Sequence, residues 1–279
     1  MKPTWRAGRF VIDLDRPCIM GIVNVTPDSF SDGNQHFGTQ AAIAHGEQLV
    51  EQGAAILDIG GESTRPGAEP VSLQEEADRV LPVLEGLHRL GVPLSVDTFK
   101  PELMRLALAS GADIINDIYG MRRPGAIEAV ANSDCGLCIM HMQGEPRSMQ
   151  TAPSYDDVLA EVRSFLTERY NCLLQAGIAR DRIVLDPGLG FGKTLPHNIE
   201  LLRRLPEAGI DCIPWLVGVS RKSMIGQLTG RPVNERLAGS LAAALVAVER
   251  GARVLRVHDV AATVDALKVW QAFHEESQA

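Results

Sequence analysis

Several features that mark other classes of protein are scarce or missing in this sequence of 279 residues. Basic residues are outnumbered, with 27 Lys and Arg against 35 Asp and Glu, so the formal net charge is −8 and the basic stripe of a nucleic-acid-binding protein is not expected. No apolar stretch approaches the length that spans a bilayer, and the N-terminal MKPTWRAGRF lacks the apolar core of a signal peptide. We therefore expect a cytoplasmic protein with neither nucleic acid nor membrane as a partner.

Cysteine is also sparse, with five residues, an odd number, spread through apolar surroundings. This usage is typical of reduced thiols and argues against a disulfide framework. Cys135 and Cys138 form a C-x-x-C pair, but a zinc site would need a second pair of ligands nearby, and a redox pair is expected at a helix N-terminus. We interpret both as small buried hydrophobic residues.

Two nucleotide-binding motifs are missing as well. The first predicted strand is not followed by G-x-G-x-x-G. Residues 186–194, DPGLGFGKT, resemble a P-loop, but the first glycine of that motif would fall at Pro187, which excludes an NTPase. The three glycines of this segment are better explained as places where the backbone approaches a flat ligand closely.

The sequence does contain a regular alternation of short β-rich runs and longer amphipathic stretches. The predicted strands are residues 18–25, 54–60, 94–98, 114–118, 137–142, 183–186, 215–220 and 254–258. The predicted helices are residues 40–51, 73–90, 101–109, 125–131, 156–176, 198–205, 235–250 and 261–274. This pattern, with no linker or shift in composition, predicts an α/β protein with a single (β/α)8 TIM barrel over 18–279 and an N-terminal cap segment, 1–17, at the bottom of the barrel. A doubly wound sheet is the alternative, although eight parallel strands suit it less well.

Every predicted strand carries a polar or charged residue at or near its C-terminal end: Asn24, Asp58, Asp97, Asn116, His141, Asp186, Ser220 and Arg256. The loops after the strands of such a barrel open on one face, so these residues should converge there. Arg65, Arg221, Lys222, Arg256 and His258 are cationic on an acidic protein, which favours an anionic, phosphate-like ligand. For any one of them alone, a solvated loop end or a salt bridge in the barrel mouth would be an adequate explanation.

A second group of strand-end residues is acidic or carries an amide. Asp97, Asn116 and Asp186 offer carboxylates and an amide at the floor of an apolar pocket. Such a floor suits a planar heterocycle that presents neighbouring N–H donors.

Seven motifs together resemble the dihydropteroate synthase family of folate biosynthesis, the target of sulfonamides. They are MGIVNVTPDSFSDG at 20–33, DIGGESTRPG at 58–67, SVDT at 95–98, IND at 115–117, DPGLGFGK at 186–193, GVSRKS at 218–223 and RVH at 256–258. They occur in the order of the family, at one strand end after another, and a small departure is Asn34, where many members have a second glycine.

The resemblance implies condensation of 6-hydroxymethyl-7,8-dihydropterin diphosphate with p-aminobenzoate, releasing pyrophosphate. It implies catalytic roles for Lys222, Arg256, His258 and Asp97. The implied pterin site is Asp97, Asn116, Met140, Asp186, Phe191 and Lys222. The implied diphosphate site is Asn24, Arg65, Arg256 and His258, with the cofactor Mg²⁺ near Asn24. The implied p-aminobenzoate site is Phe30, Thr64, Arg65, Pro66, Ser220, Arg221 and Ser223.

Two other readings are open at this point. A pterin-binding methyltransferase domain shares the barrel and the pterin floor, but it does not need the STRP loop or the SRKS run. A non-catalytic binding paralogue should lack one of the loop motifs, and all are present here.

The segment 238–248, AGSLAAALVAV, is apolar nearly all round, whereas a helix on the outside of a barrel normally keeps one wet face. We therefore expect a homodimer that uses this helix, as the resemblance also implies. A helix covered by the following loop is the alternative.

Overall fold

The computed structural model describes residues 2–25, 35–63 and 69–274, in which eight parallel strands close into a barrel. An antiparallel hairpin of β1 (Thr4–Ala7) and β2 (Phe10–Asp13) precedes them. The barrel strands are β3 (Cys18–Asn24), β4 (Ile56–Gly60), β5 (Leu94–Asp97), β6 (Ile114–Asp117), β7 (Gly136–Met140), β8 (Ile183–Asp186), β9 (Trp215–Val217) and β10 (Ala252–Val257). The ring closes where β10 pairs with β3 in parallel register.

Helices follow each barrel strand and cover the outside of the barrel. They are α1 (Gln35–Glu51), α2 (Leu73–Leu87), α3 (Pro101–Ala109), α4 (Ala126–Val130), α5 (Val158–Gln175), α6 (Leu195–Arg203), α7 (Ser223–Thr229), α8 (Leu237–Glu249) and α9 (Val260–His274). The predicted (β/α)8 barrel is confirmed, and the doubly wound sheet is excluded because the sheet has no edge.

The short helix α7 was not predicted. It has seven residues and is followed by Gly230, which adopts the left-handed conformation with φ of 72°. Seven residues are too few to establish a helical repeat of apolar positions, so this element has little signal in the sequence. It matters for the site because it begins at Ser223, directly after Lys222.

Local signals in the sequence account for several of the other helix ends. Ser72 caps α2, because its hydroxyl accepts a hydrogen bond from the backbone N–H of Glu75 at 3.2 Å. Pro101 occupies the first turn of α3, where its missing N–H costs nothing. Gly91, which follows a short 3-10 turn after α2, has a positive φ of 68°, the conformation that favours glycine at a helix end.

The hairpin lies across the N-terminal ends of the barrel strands. Trp5 is fully buried, and its indole N–H donates to the carbonyl of Arg182, just before β8, at 2.9 Å. The N–H of Gly8 donates to the carbonyl of Asp134, close to the start of β7, at 2.9 Å. Trp5, Ala7 and Leu14 pack against residues inside the barrel. This end of the barrel is therefore filled, and the opposite end is left for ligands.

Cys135 and Cys138 are both buried, as predicted for small hydrophobic residues. Within the described part of the chain, no three His, Cys, Asp or Glu side chains are grouped so that they could hold a metal ion. None of the described helices is both long enough and apolar enough to cross a membrane.

Candidate active site

An arginine bridges two carboxylates across the open end of the barrel. Arg256, on β10, donates from Nε to Asp58 Oδ2 at 2.6 Å and from Nη2 to Asp97 Oδ2 at 2.8 Å. Asp58 lies on β4 and Asp97 ends β5, so one side chain connects three strands. The cationic and acidic groups that the sequence suggested as separate sets therefore meet in one ion-pair network.

Asp58 is the centre of this network, and sequence reasoning gave it no ligand role. Its side chain is completely buried, and besides Arg256 it accepts hydrogen bonds from Ser95 Oγ at 2.5 Å and Asn116 Nδ2 at 3.1 Å. Its position in β4, whose residues are all buried, could have indicated this role, because a buried carboxylate needs several hydrogen-bond donors around it.

Burial changes the ionisation of Asp97. Removal of its carboxylate from water raises the pKa of Asp97 to about 7, with the neighbouring Asp58 acting in the same direction and Arg256 opposing the shift. Asp97 can therefore exchange a proton near neutral pH, and nearby positive or N–H groups control its charge.

Asp186 and Lys222 lie at the mouth of the barrel, at the end of β8 and after β9 respectively. Asp186 ends β8, and its Oδ1 accepts the N–H of Gly188 at 2.7 Å. Burial raises the pKa of Asp186, while Lys222 favours its charged form. Burial likewise lowers the pKa of Lys222 to about 8, and its ammonium donates to the carbonyl of Leu189 and lies 4.8 Å from the centre of the Phe191 ring.

An apolar wall lies beside these polar groups. Met140, at the end of β7, is 3% exposed and belongs to a cluster with Ile118 and Met142, against which Phe191 packs. The predicted pterin residues Asp97, Asn116, Met140, Asp186, Phe191 and Lys222 thus lie at the same end of the barrel, with carboxylates, an amide and apolar side chains together.

Ser220 and His258 meet after β9 and β10. The backbone N–H of His258 donates to Ser220 Oγ at 3.2 Å, and its Nδ1 lies 3.0 Å from the same oxygen. Arg221 has a left-handed backbone, with φ of 59°, and its guanidinium forms an ion pair with Asp259, from Nε to Oδ2 at 2.9 Å. The structure therefore directs Arg221 to a surface carboxylate on the rim of the mouth.

Asn24 is the last residue of β3 and is half-buried. The predicted site residues Phe30, Thr64, Arg65 and Pro66 lie outside the described residues. On either side of 64–68, Lys100 Nζ donates to Glu62 Oε2 at 2.5 Å and to the carbonyl of Val71 at 2.8 Å, and also pairs with the buried Glu76.

The expectation that every strand end points its polar group into the mouth was wrong for His141. Its imidazole makes an edge-on contact with Phe165 of α5, with ring centres 5.0 Å apart. Successive side chains on a strand face opposite sides, and Met140 occupies the inward position. His141 therefore faces the helical layer.

Comparison with known proteins shows the family to which the chain belongs. Residues 20–258 match the protein family described as pterin binding enzyme, and the chain belongs to that family. Dihydropteroate synthase of Neisseria meningitidis serogroup C is 56% identical over 276 residues, which are 97% of this chain and 98% of that protein.

Two solved structures are similar over nearly the whole chain. Xanthomonas albilineans dihydropteroate synthase with 4-aminobenzoic acid has a TM-score of 0.93 and 54% identity, covering 99% of this chain and 100% of the other. Burkholderia cenocepacia dihydropteroate synthase complexed with 7,8-dihydropteroate has a TM-score of 0.90 and 51% identity, covering 98% and 96%. The family and the reaction predicted from the motifs, a dihydropteroate synthase, are confirmed.

The network around Asp58 gives a first prediction. Asp58→Asn replaces an acceptor oxygen by an N–H group that faces the donors bonded to Asp58, and it leaves Arg256 with only one carboxylate partner. The free energy of unfolding should therefore fall by about 3–5 kcal/mol. Thermal and urea unfolding measure the loss. Asp259→Asn is the matched control, because its pair with Arg221 is 42% exposed on the arginine side and should cost about 1 kcal/mol or less. Equal losses in the two variants would show that Asp58 is not a central support.

Proposed function

We propose that the open end of the barrel is where the chain carries out the dihydropteroate synthase reaction, with the side chains described above in specific roles. The observation that carries this assignment is the floor made by Asp97, Asn116 and Asp186 beside the wall of Met140 and Phe191. Two carboxylates and an amide offer acceptors and a donor to the amino-pyrimidinone edge of a pterin, and the wall fits its flat ring.

The diphosphate would be held by cationic and polar groups on the same face. Arg256 presents a guanidinium fork suited to phosphate oxygens, and His258 follows two residues later beside Ser220. In the described structure this guanidinium is occupied by Asp58 and Asp97. A bound diphosphate would compete for it, and the N–H groups of the pterin would replace it at Asp97.

The reaction needs no protein nucleophile. The bond between the pterin methylene carbon and the diphosphate oxygen breaks, the electron pair leaves with pyrophosphate, and the amino nitrogen of p-aminobenzoate bonds to the methylene and loses a proton. Arg256 and His258 would stabilise the charge that develops on the leaving group, and Lys222 would hold the pterin ring. Most of the rate would come from positioning and electrostatics.

The residues present could hold Mg²⁺ only together with the diphosphate, whose oxygens would supply further ligands. Asn24 offers one amide oxygen at the mouth, and the described residues have no group of three metal ligands nearby. Mg²⁺ usually keeps several waters and binds one or two protein oxygens together with substrate phosphates, which is compatible with this donor set. When bound, the ion would neutralise part of the diphosphate charge.

The p-aminobenzoate site is proposed on the side of the mouth formed by Ser220, Arg221 and Ser223. Ser220 is buried beside His258, and Ser223 starts α7. Phe30, Thr64, Arg65 and Pro66 complete the proposal from their motifs alone. Sulfonamides, which mimic p-aminobenzoate, would occupy the same place.

Release of pyrophosphate tests this function directly. A coupled pyrophosphate assay should give a signal only when the pterin diphosphate and p-aminobenzoate are both present, because the amine supplies the attacking nitrogen. Release with the pterin diphosphate alone would indicate a hydrolase, and no release with both would exclude the synthase reaction.

The ionisation of Asp97 predicts a pH dependence of pterin binding. Below its pKa of about 7 the protonated carboxyl no longer serves as a full acceptor for the pterin N–H groups. The affinity for 6-hydroxymethylpterin, a probe without phosphates, should therefore decrease as pH falls below 7, by up to about tenfold per pH unit, with release of a proton on binding. The charged groups that act on Asp97 are Arg256, Asp58, Glu76 and Asp117.

Calorimetric titrations at pH 5.5 to 8, in buffers with different ionisation enthalpies, measure both the affinity and the proton release. Asp97→Asn should weaken binding and flatten the profile. Asp181→Asn, at the opposite end of the barrel, should leave it unchanged. An affinity for the pterin that is constant over this range would contradict the role given to Asp97.

The homodimer is also a proposal. Helix α8 leaves Ala238, Ala242 and Val246 exposed at intervals of four residues, a spacing that places them on one face, and Leu237 beside them is 42% exposed. The apolar face is what supports an interface between two copies. The cytoplasmic location expected from the sequence stays a prediction.

Ala242→Arg should convert the dimer to a monomer, because it places a charge in the centre of this face. Light scattering coupled to size exclusion measures the mass. Leu106→Arg, which changes an exposed leucine on α3, is the control and should leave the mass unchanged. A wild-type chain that is monomeric at micromolar concentration would contradict the proposal.

A further inference from the structure

Lys193, the lysine of the P-loop-like segment, points into the protein and does not reach the mouth. Its side chain is 2% exposed, and its ammonium nitrogen lies 2.9 Å from the carbonyl of Gly188, 3.1 Å from the carbonyl of Phe191 and 2.9 Å from Nδ1 of His141. Neither the proposed pterin contacts nor the diphosphate contacts use this group.

The Lys193 nitrogen makes these three short contacts and a fourth, longer one of 3.5 Å to the backbone carbonyl of His141. His141 is neutral at physiological pH, because burial and the neighbouring Lys193 lower its pKa to about 2, and one hydrogen bond joins its Nδ1 to the Lys193 nitrogen. Burial lowers the pKa of Lys193, whereas the charge of Asp186 opposes that shift. A buried lysine with these contacts holds the backbone groups that it bonds at fixed positions relative to one another.

The backbone that Lys193 connects is held along its whole length by side chains. Each carbonyl from residue 188 to residue 192 accepts a side-chain hydrogen bond. The donors, in chain order of the carbonyls, are Lys193, Lys222, Gln150, Lys193 and Tyr155. Lys193 alone supplies two of these bonds and also joins the segment to His141 after β7.

The same segment supports three residues of the proposed pterin site. The N–H of Gly188 fixes the carboxylate of Asp186 at 2.7 Å, and the carbonyl of Leu189 receives Lys222. Phe191 forms part of the apolar wall, and its own carbonyl is bonded to Lys193. Displacement of this backbone would therefore change the orientation of the Asp186, Lys222 and Phe191 side chains together.

We propose that Lys193 is a positioning residue for the pterin half of the reaction: by tying the backbone at Gly188 and Phe191 to His141, it holds Asp186, Phe191 and Lys222 in the arrangement that binds the pterin. This inference rests on the pterin site given under the proposed function. It assigns no contact between Lys193 and substrate.

Lys193→Met tests the proposal, because methionine keeps most of the length and apolar volume of lysine and removes the nitrogen that makes these hydrogen bonds. The KM for the pterin diphosphate should rise about tenfold or more, since small misplacements of binding groups have effects of this size or larger. The KM for p-aminobenzoate, measured at saturating pterin diphosphate, should stay within about twofold, as expected when only one half of the site is disturbed.

Arg182→Met is the matched control. Arg182 is likewise a buried cation that bonds backbone carbonyls, those of Cys135 at 2.7 Å and Val130 at 3.3 Å, but it lies at the other end of β8. Its loss should lower the melting temperature and leave both KM values unchanged. If Lys193→Met behaves in the same way, Lys193 is only structural and the proposal is wrong.

Two further variants keep the outcome decisive. Tyr155→Phe removes only the bond to the Gly192 carbonyl, 2.8 Å in length, so it provides a folded protein should Lys193→Met not fold, and it should raise the same KM to a smaller extent. Where Lys193→Met does not fold, an unchanged KM in this variant would overturn the proposal. Asp186→Asn separates the two hypotheses: if it keeps wild-type pterin binding, the pterin floor is misassigned, and if it alone loses binding, only the role of Lys193 fails.

Discussion

The ion pairs of Arg256 determine how the mouth of the barrel is organised. Asp58 has no exposed surface, and a carboxylate in that position is stable only with a charged partner and hydrogen bonds. Arg256 supplies the charge, and Ser95 and Asn116 supply further donors. The same guanidinium holds Asp97 directly and, through Asp58, is linked to Asn116, so two groups proposed for the pterin depend on the arginine proposed for the diphosphate.

The fold could be predicted from the sequence because its signals are local. Short apolar runs, each followed by a helical repeat and a loop, are sufficient to indicate eight strand–helix units. Gly91 after α2 and Pro101 at the start of α3 are further local signals, which mark where helices end and begin. The closed ring then brings polar strand ends together, and most of the predicted pterin residues lie there for that reason.

Side-chain direction and long-range pairing could not be predicted in this way. Arg256 and Asp58 are 198 residues apart, and no local pattern indicates that they pair. Successive side chains of β7 alternate between the mouth and the helical layer, so a shift of the strand by a single residue decides whether Met140 or His141 faces the mouth. The contacts of Lys193 depend on two loops that meet only in the folded barrel. The resemblance of its segment to a P-loop even suggested a lysine that contacts phosphate.

The close packing of the 186–192 segment has a consequence for resistance to inhibitors. A side-chain carbon added at Gly188 would lie 1.8 Å from the carbonyl oxygen of His141, and one added at Gly192 would lie 2.5 Å from the carbonyl oxygen of Gln143. Both glycines also have positive φ, so any other residue there would be strained as well as crowded. A compound that contacts the backbone at these two glycines could not be excluded by replacing either of them, so escape mutations would have to arise elsewhere in the pocket.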